Sequence, residues 1–273
     1  MKTLKKKSLF FALLLFLNGI GSFKTIAQNA TTNQPNYLLR EYMKVVPGKE
    51  NEYLKVEKVW KKIHERRIKE GRILAWTLSR RVYYGTNSPY DYVTTTVFKS
   101  GKEMDEAASL NWDYIIAGLS PEDLAIVNTT GDTRKMVSSQ LLYQTQRVQA
   151  EGSIFKYWQI TQVKAKQGFG ADLEKYEAMM KPVFEEAAKS GQISGWRFGE
   201  NLFPRRANEG NYYRVIITKN MEDLLNSEKN PFVSAAFKKV YPTKDWKVFS
   251  KAMNDIITIL DVDLWERIDS AAN

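Results

Sequence analysis

The chain has 273 residues, no cysteine, a single histidine and a formal charge of +10. Without a thiol there is no disulfide framework, no thiolate nucleophile and no lipid-anchored N-terminal cysteine. One histidine argues against a dedicated zinc site, which wants about three or four nitrogen, sulfur or carboxylate ligands together.

Residues 1–27 read as a signal peptide. Lys2, Lys5, Lys6 and Lys7 form a positive start, Leu9–Leu17 is unbroken apolar sequence, and Thr25-Ile26-Ala27 offers a cleavage point before Gln28. The apolar run falls short of the ~20 residues that span a bilayer, although an uncleaved anchor stays open as the rival reading. Export to a bacterial periplasm or the exterior is expected, with no membrane attachment after cleavage. Five lysines leave with this segment, so the mature charge is +5. That modest charge on an exported chain argues against a nucleic-acid partner. Gln28–Pro35 is a polar, aperiodic leader expected to be flexible.

Residues 36–46 read as a strand, ended by Pro47-Gly48. Over 50–70, Tyr53, Val56, Trp60 and Ile63 recur at helical spacing, and Gly71 suits a left-handed cap. Strands are expected at 73–84 and 90–99 with a GTNSP turn between them, then helices at 102–119 and 121–128 and a closing strand at 136–146. The second half repeats this order: strand 154–166, helix 170–190 with Leu173, Tyr176, Met180 and Val183 inward, and strands 192–203 and 211–218. Helices at 221–240 and 243–254 and a strand at 256–267 complete it. Residues 36–76 and 156–196 align without a gap, and eleven of the 41 pairs are identical, among them Gly48/Gly168, Glu57/Glu177, Gly71/Gly191 and Trp76/Trp196. Random pairing would give roughly two or three.

Each repeat is therefore a βαββαβ unit, with boundaries at 36–150 and 151–273. Such a unit leaves one apolar sheet face uncovered, and a second sheet must bury it. The fold class is α+β: two tandem ferredoxin-like units packed sheet to sheet into one pseudo-symmetric α/β barrel, helices outside. The segments PGKENEYLKVEKVWKKIHERRIKEGRILAW and QGFGADLEKYEAMMKPVFEEAAKSGQISGW carry a resemblance to the dimeric α/β-barrel superfamily, in its tandem form. The resemblance covers nearly all of residues 36–269. It implies a ligand cleft between the sheet and helices of one unit, and it spans cofactor-free monooxygenases, haem-handling enzymes, isomerases and proteins of no known activity. Fold alone transfers none of these.

The candidate catalytic residues are His64, Tyr42 and Arg40. His64 lies about 40° round the first helix from Trp60, and its counterpart is Phe184. It reads either as a general base or haem ligand in the first cleft, or as a structural helix-edge histidine. Arg40 and Tyr42 share a strand face with Leu38 and Lys44, opposite counterparts Ile160 and Gln162. They could hold a carboxylate or phenolate if that face lines the cleft. Trp76 and Trp196 are candidate ligand-stacking residues, or else pack helix on sheet. The first helix also carries Lys55, Lys58, Lys61, Lys62, Arg66, Arg67 and Lys69. This face could dock on acidic glycan, or be solvated and held by i,i+4 pairs such as Glu57–Lys61 and Glu65–Lys69. The hairpin tip Phe203-Pro204-Arg205-Arg206 divides in the same way.

There is no phosphate loop, no GxSxG elbow, no HExxH and no motif that calls for a cofactor or metal. Three functions follow: a small-molecule-binding or accessory protein, a cofactor-independent monooxygenase or isomerase for an aromatic or enolisable compound, and an acidic-glycan binder. Further homodimerisation of the fused barrel is open. A sizeable cleft beside His64 would favour the enzyme; a flat surface there would favour the accessory protein.

Overall fold

The computed structural model describes residues 36–83, 88–153, 155–205, 210–229 and 232–272. The segments expected to be signal peptide and leader, the first three residues of the GTNSP turn and Arg206 lie outside them. In chain order the first repeat holds β1 (Asn36–Val45), α1 (Glu50–Lys69), β2 (Ala75–Val82), β3 (Tyr92–Phe98), α2 (Gly101–Ala108), α3 (Trp112–Ile116), α4 (Pro121–Asn128), α5 (Thr130–Thr133) and β4 (Arg134–Gln149). The second holds β5 (Tyr157–Ala165), α6 (Gly170–Lys189), β6 (Gly195–Phe203), β7 (Tyr212–Thr218), α7 (Met221–Lys229), α8 (Phe232–Val240), α9 (Trp246–Asp255) and β8 (Ile257–Ala272).

All eight strands close into one antiparallel barrel in the order β1-β3-β2-β8-β5-β7-β6-β4. Each repeat contributes a four-stranded sheet, ordered β4-β1-β3-β2 and β8-β5-β7-β6. The joints between repeats are β2–β8 and β4–β6. This explains the main departure from the expected elements: β4 and β8 are each 16 residues long, well beyond the 11 or 12 anticipated. Each runs along its own repeat's first strand and then continues along the other repeat's second strand. The helix expected over 102–119 is also broken. Asn111 accepts from the Tyr114 backbone N–H and starts α3 as a separate helix.

Alternation along the strands sorts side chains into two compartments. Leu38 and Tyr42 of β1, Val93, Leu142, Ile160, Tyr213, Val215, Ile217 and Trp265 fill the barrel interior, drawn from both repeats. Met43, Trp76, Leu78, Tyr92 and Phe98 point outward and pack under α1 with Tyr53 and Ile68. The second repeat's outward face packs under α6 and α8 in the same manner. Gly71 and Gly191, just past the two long helices, have φ of +72° and +73°, so the paired glycines serve the left-handed turn anticipated for them.

Candidate functional site

Between α1, α2 and the outward face of the first sheet lies a cleft of about 470 Å³. Its walls are apolar at Leu39, Trp60, Trp76, Phe98 and Met104, and polar at Glu41, Glu57, His64, Arg67, Thr94, Thr96 and Arg134. A sizeable cleft beside His64 is thus present.

His64 is buried, its ring stacked 5.1 Å from Trp76 at 17°. Arg67 approaches its Nδ1 at 3.2 Å through Nη1. Guanidinium only donates, so Nδ1 accepts and the proton sits on Nε2. Burial and the adjacent Arg67 and Arg134 push the imidazole pKa down to about 3. His64 is therefore a neutral hydrogen-bond donor near pH 7, and its Nδ1 lone pair is already engaged.

A second titratable group in this cleft is Glu57, which helical spacing alone pairs with Lys61 on a solvated face. That pairing is wrong. Glu57 is 2% exposed, and Arg134 of β4 lies 3.1 Å away through Nε. Burial raises its carboxyl pKa to about 7 against the opposing pull of Arg134. Its identical partner Glu177 is as deeply buried and is held by Arg214 of β7. The only sequence signal for this burial was the identity of Glu57 and Glu177 across the repeats.

The two ion pairs differ in where the arginine comes from, and that difference opens one cleft. In the second repeat Arg214 reaches Glu177 from β7; the matching β3 position holds Thr94. In the first repeat the cation arrives from β4, where the matching β8 position is Ile257. A short threonine thus stands in the sheet where an arginine would cross the cleft floor. The second repeat also fills the space with Phe184 stacked on Trp196 at 4.8 Å and 16°, and with Phe198 and Phe237.

The remaining candidates fall elsewhere. Trp76 and Trp196 are each 1% exposed and pack sheet against helix; Trp76 borders the open cleft, while Trp196 is covered by Phe184. Arg40 and Tyr42 do not face a cleft at all: they point into the barrel interior, on the opposite side of the sheet from His64. The register of β1 decides this, because odd residues face the helices. The three candidate catalytic residues therefore occupy two separate compartments. Much of the basic face of α1 is also committed. Lys61 reaches Asp269 and Lys62 reaches Asp123, both at 2.7 Å, while Arg66 caps carbonyls of Tyr114, Ile115 and Ala117.

Among the described residues no group of three or more His, Cys, Asp or Glu could hold a metal, and no helix is long and apolar enough to cross a membrane. No protein-family model matches the chain, and no curated protein matches it. Solved structures do share its architecture. A candidate monooxygenase from Lactobacillus acidophilus NCFM superposes with a TM-score of 0.55 at 15% identity, covering 88% of this chain and 96% of the other. An anthrone oxidase-like protein gives 0.52 at 10%, covering 89% and 94%. A candidate monooxygenase from Fusobacterium nucleatum gives 0.52 at 8%, covering 88% and 95%. At such identities the likeness is one of fold: this chain has the dimeric α/β-barrel architecture with both units in one polypeptide.

Proposed function

We propose that the first-repeat cleft binds a planar small molecule and abstracts a proton from it, as a cofactor-independent monooxygenase or isomerase does. The observation that carries this is Glu57: a carboxyl buried in the cleft wall with its pKa raised to about 7, beside a cation. A base works best when its pKa lies near the working pH. Trp60 and Trp76 supply flat apolar walls, and Arg67, Arg134 and the His64 Nε2–H supply donors for a developing enolate or phenolate.

For a CH₂ flanked by aryl rings, Glu57 takes one proton and the carbanion transfers its electron pair to dioxygen as the C–O bond forms. The hydroperoxide then regains a proton and loses water, leaving a ketone. The structures named as monooxygenases and as anthrone oxidase-like share the fold and make anthrone a reasonable first probe. The same proposal keeps the protein exported, as residues 1–27 suggest.

The second reading is a binding or accessory protein without turnover. It is favoured by the second repeat, where an equivalent buried Glu–Arg pair sits in a filled core and so has only a structural task. Oxygen uptake and quinone formation with anthrone, measured for the wild type and Glu57→Gln, separate the two. The enzyme reading expects a loss of roughly 10²- to 10⁴-fold in Glu57→Gln. A thermal shift with anthrone but no oxygen uptake leaves the binding protein. Neither response removes anthrone-like ligands from both.

A further inference from the structure

The barrel interior holds a charge that the fold does not neutralise. Arg40 is 3% exposed, and among the described residues no carboxylate lies within ion-pair distance of it. Its Nη1 has no hydrogen-bond partner. Asp263, the carboxylate whose charge acts on the neighbouring Tyr42, is already taken by Arg81 at 2.9 Å. Arg197, the other deeply buried guanidinium, differs because it donates to the carbonyls of Val148 and Trp196 and to Gln149.

A second orphan donor stands beside Arg40. Tyr213 is 1% exposed, its hydroxyl has no partner, and its ring centre lies 5.4 Å from the Arg40 guanidinium carbon. Tyr42, the next inward residue on β1, donates its proton to Gln140 at 2.7 Å and accepts from Arg40, which leaves Nη1 as the open end of the guanidinium. Gly199 makes the room: a Cβ there would meet the Tyr213 hydroxyl at 2.7 Å and the Tyr143 carbonyl at 2.2 Å.

The repeats supply an internal control. The positions matching Arg40 and Tyr213 in the other repeat are Ile160 and Val93, both buried in the same interior cluster. The barrel closes well with apolar side chains at these positions. Arg40 Nη1 and the Tyr213 hydroxyl are buried without acceptors, an unfavourable state unless something accepts from them. We propose that the barrel interior is a binding site for a small monovalent anion of halide size, held by Arg40 Nη1 and the Tyr213 hydroxyl. Leu38, Tyr42, Ile160 and Val215 are buried in the same interior cluster, so the proposed occupant is a small one. This site is separate from the cleft, since neither residue lines it.

The test is thermal unfolding in sodium bromide against sodium gluconate at equal ionic strength, gluconate being too large for the interior. A saturable bromide-specific rise is expected, roughly 5–10 °C at a hundredfold excess over Kd. Arg40→Met should abolish the rise, Tyr213→Phe should weaken it, and Arg134→Met in the cleft should leave it intact. If Arg40→Met does not fold, Tyr213→Phe and the anomalous signal of bromide in crystals carry the test. A Tm indifferent to the anion would overturn the proposal. So would an equal bromide shift in Tyr213→Phe, or bromide bound only elsewhere in the crystal.

Discussion

His64→Phe tests the electrostatics of the cleft directly, because the protein already makes this substitution at Phe184. Phe184 stacks on Trp196 almost as His64 stacks on Trp76, so the variant should pack without strain at pH 8. Acid separates the two proteins. In the unfolded chain an imidazole takes up a proton near pH 6.5, while native His64 stays neutral down to about 3. The unfolded state therefore binds more protons between these values, and stability falls as pH is lowered through that window. At pH 5 the unfolded chain gains about 1.5 times 1.36 kcal/mol, so His64 alone costs the wild type about 2 kcal/mol relative to pH 8. Phenylalanine has no such term. Glu57 titrates with the opposite sign but is present in both proteins, so it drops out of the comparison. Circular-dichroism melts at pH 8 and pH 5 should show the variant gaining roughly 4–8 °C on the wild type at the lower pH. An identical acid shift in the two proteins would refute the reasoning, since His64 would then titrate as an ordinary exposed imidazole.

Thr94→Arg should rebuild in the first repeat the arrangement of Arg214 over Glu177, closing the cleft. A ligand that stabilises the wild type by about 2.7 kcal/mol at a hundredfold excess should then give no measurable thermal shift, with the fold intact by circular dichroism. Glu57→Gln should flatten a pH–rate profile that otherwise rises through about 7. It should also remove a stability term: the raised Glu57 pKa makes the native state weaker as pH climbs from 4.5 to 7, and melts across that range would report its loss. Gly71→Ala meets a φ of +72° and should lower stability by about 1 kcal/mol, read as a fall of about 2–4 °C in Tm.

The repeat made the architecture legible. Matching strands, paired glycines at helix ends and two uncovered sheet faces imply a closed tandem barrel before any coordinates. Side-chain direction was less so. Arg40 and Tyr42 were correctly placed on one face of β1, but which face meets the helices depends on register against β3 and β4, set far away in the chain. Glu57 was hidden for a similar reason. On a helix wheel it borders a row of lysines, and only the arrival of Arg134 from β4 shows that it faces the sheet. Local periodicity reports burial of apolar stripes; it carries no signal for a buried carboxylate whose partner is distant.

The duplicated unit also separates what the fold needs from what it can spare. Both repeats bury a glutamate under the sheet and a tryptophan beside it, so these belong to the architecture. The cation that neutralises the glutamate does not have a fixed origin. Drawing it from β7 places an arginine across the cleft floor, and phenylalanines complete the filling above it. Drawing it from β4 leaves Thr94 on the floor and an imidazole where the phenylalanine would be. The glutamate keeps its burial and its cation in both settings, but only in the first does it border open space. The ion pair of the first repeat thereby lines an open cleft, with the glutamate pKa raised to about 7. Thr94→Arg is the decisive substitution for this reason, since it sets an arginine across the cleft floor while leaving Glu57 and Arg134 in place. If such a variant still binds and turns over every ligand of the wild type, the open cleft has no function and the first repeat is as structural as the second.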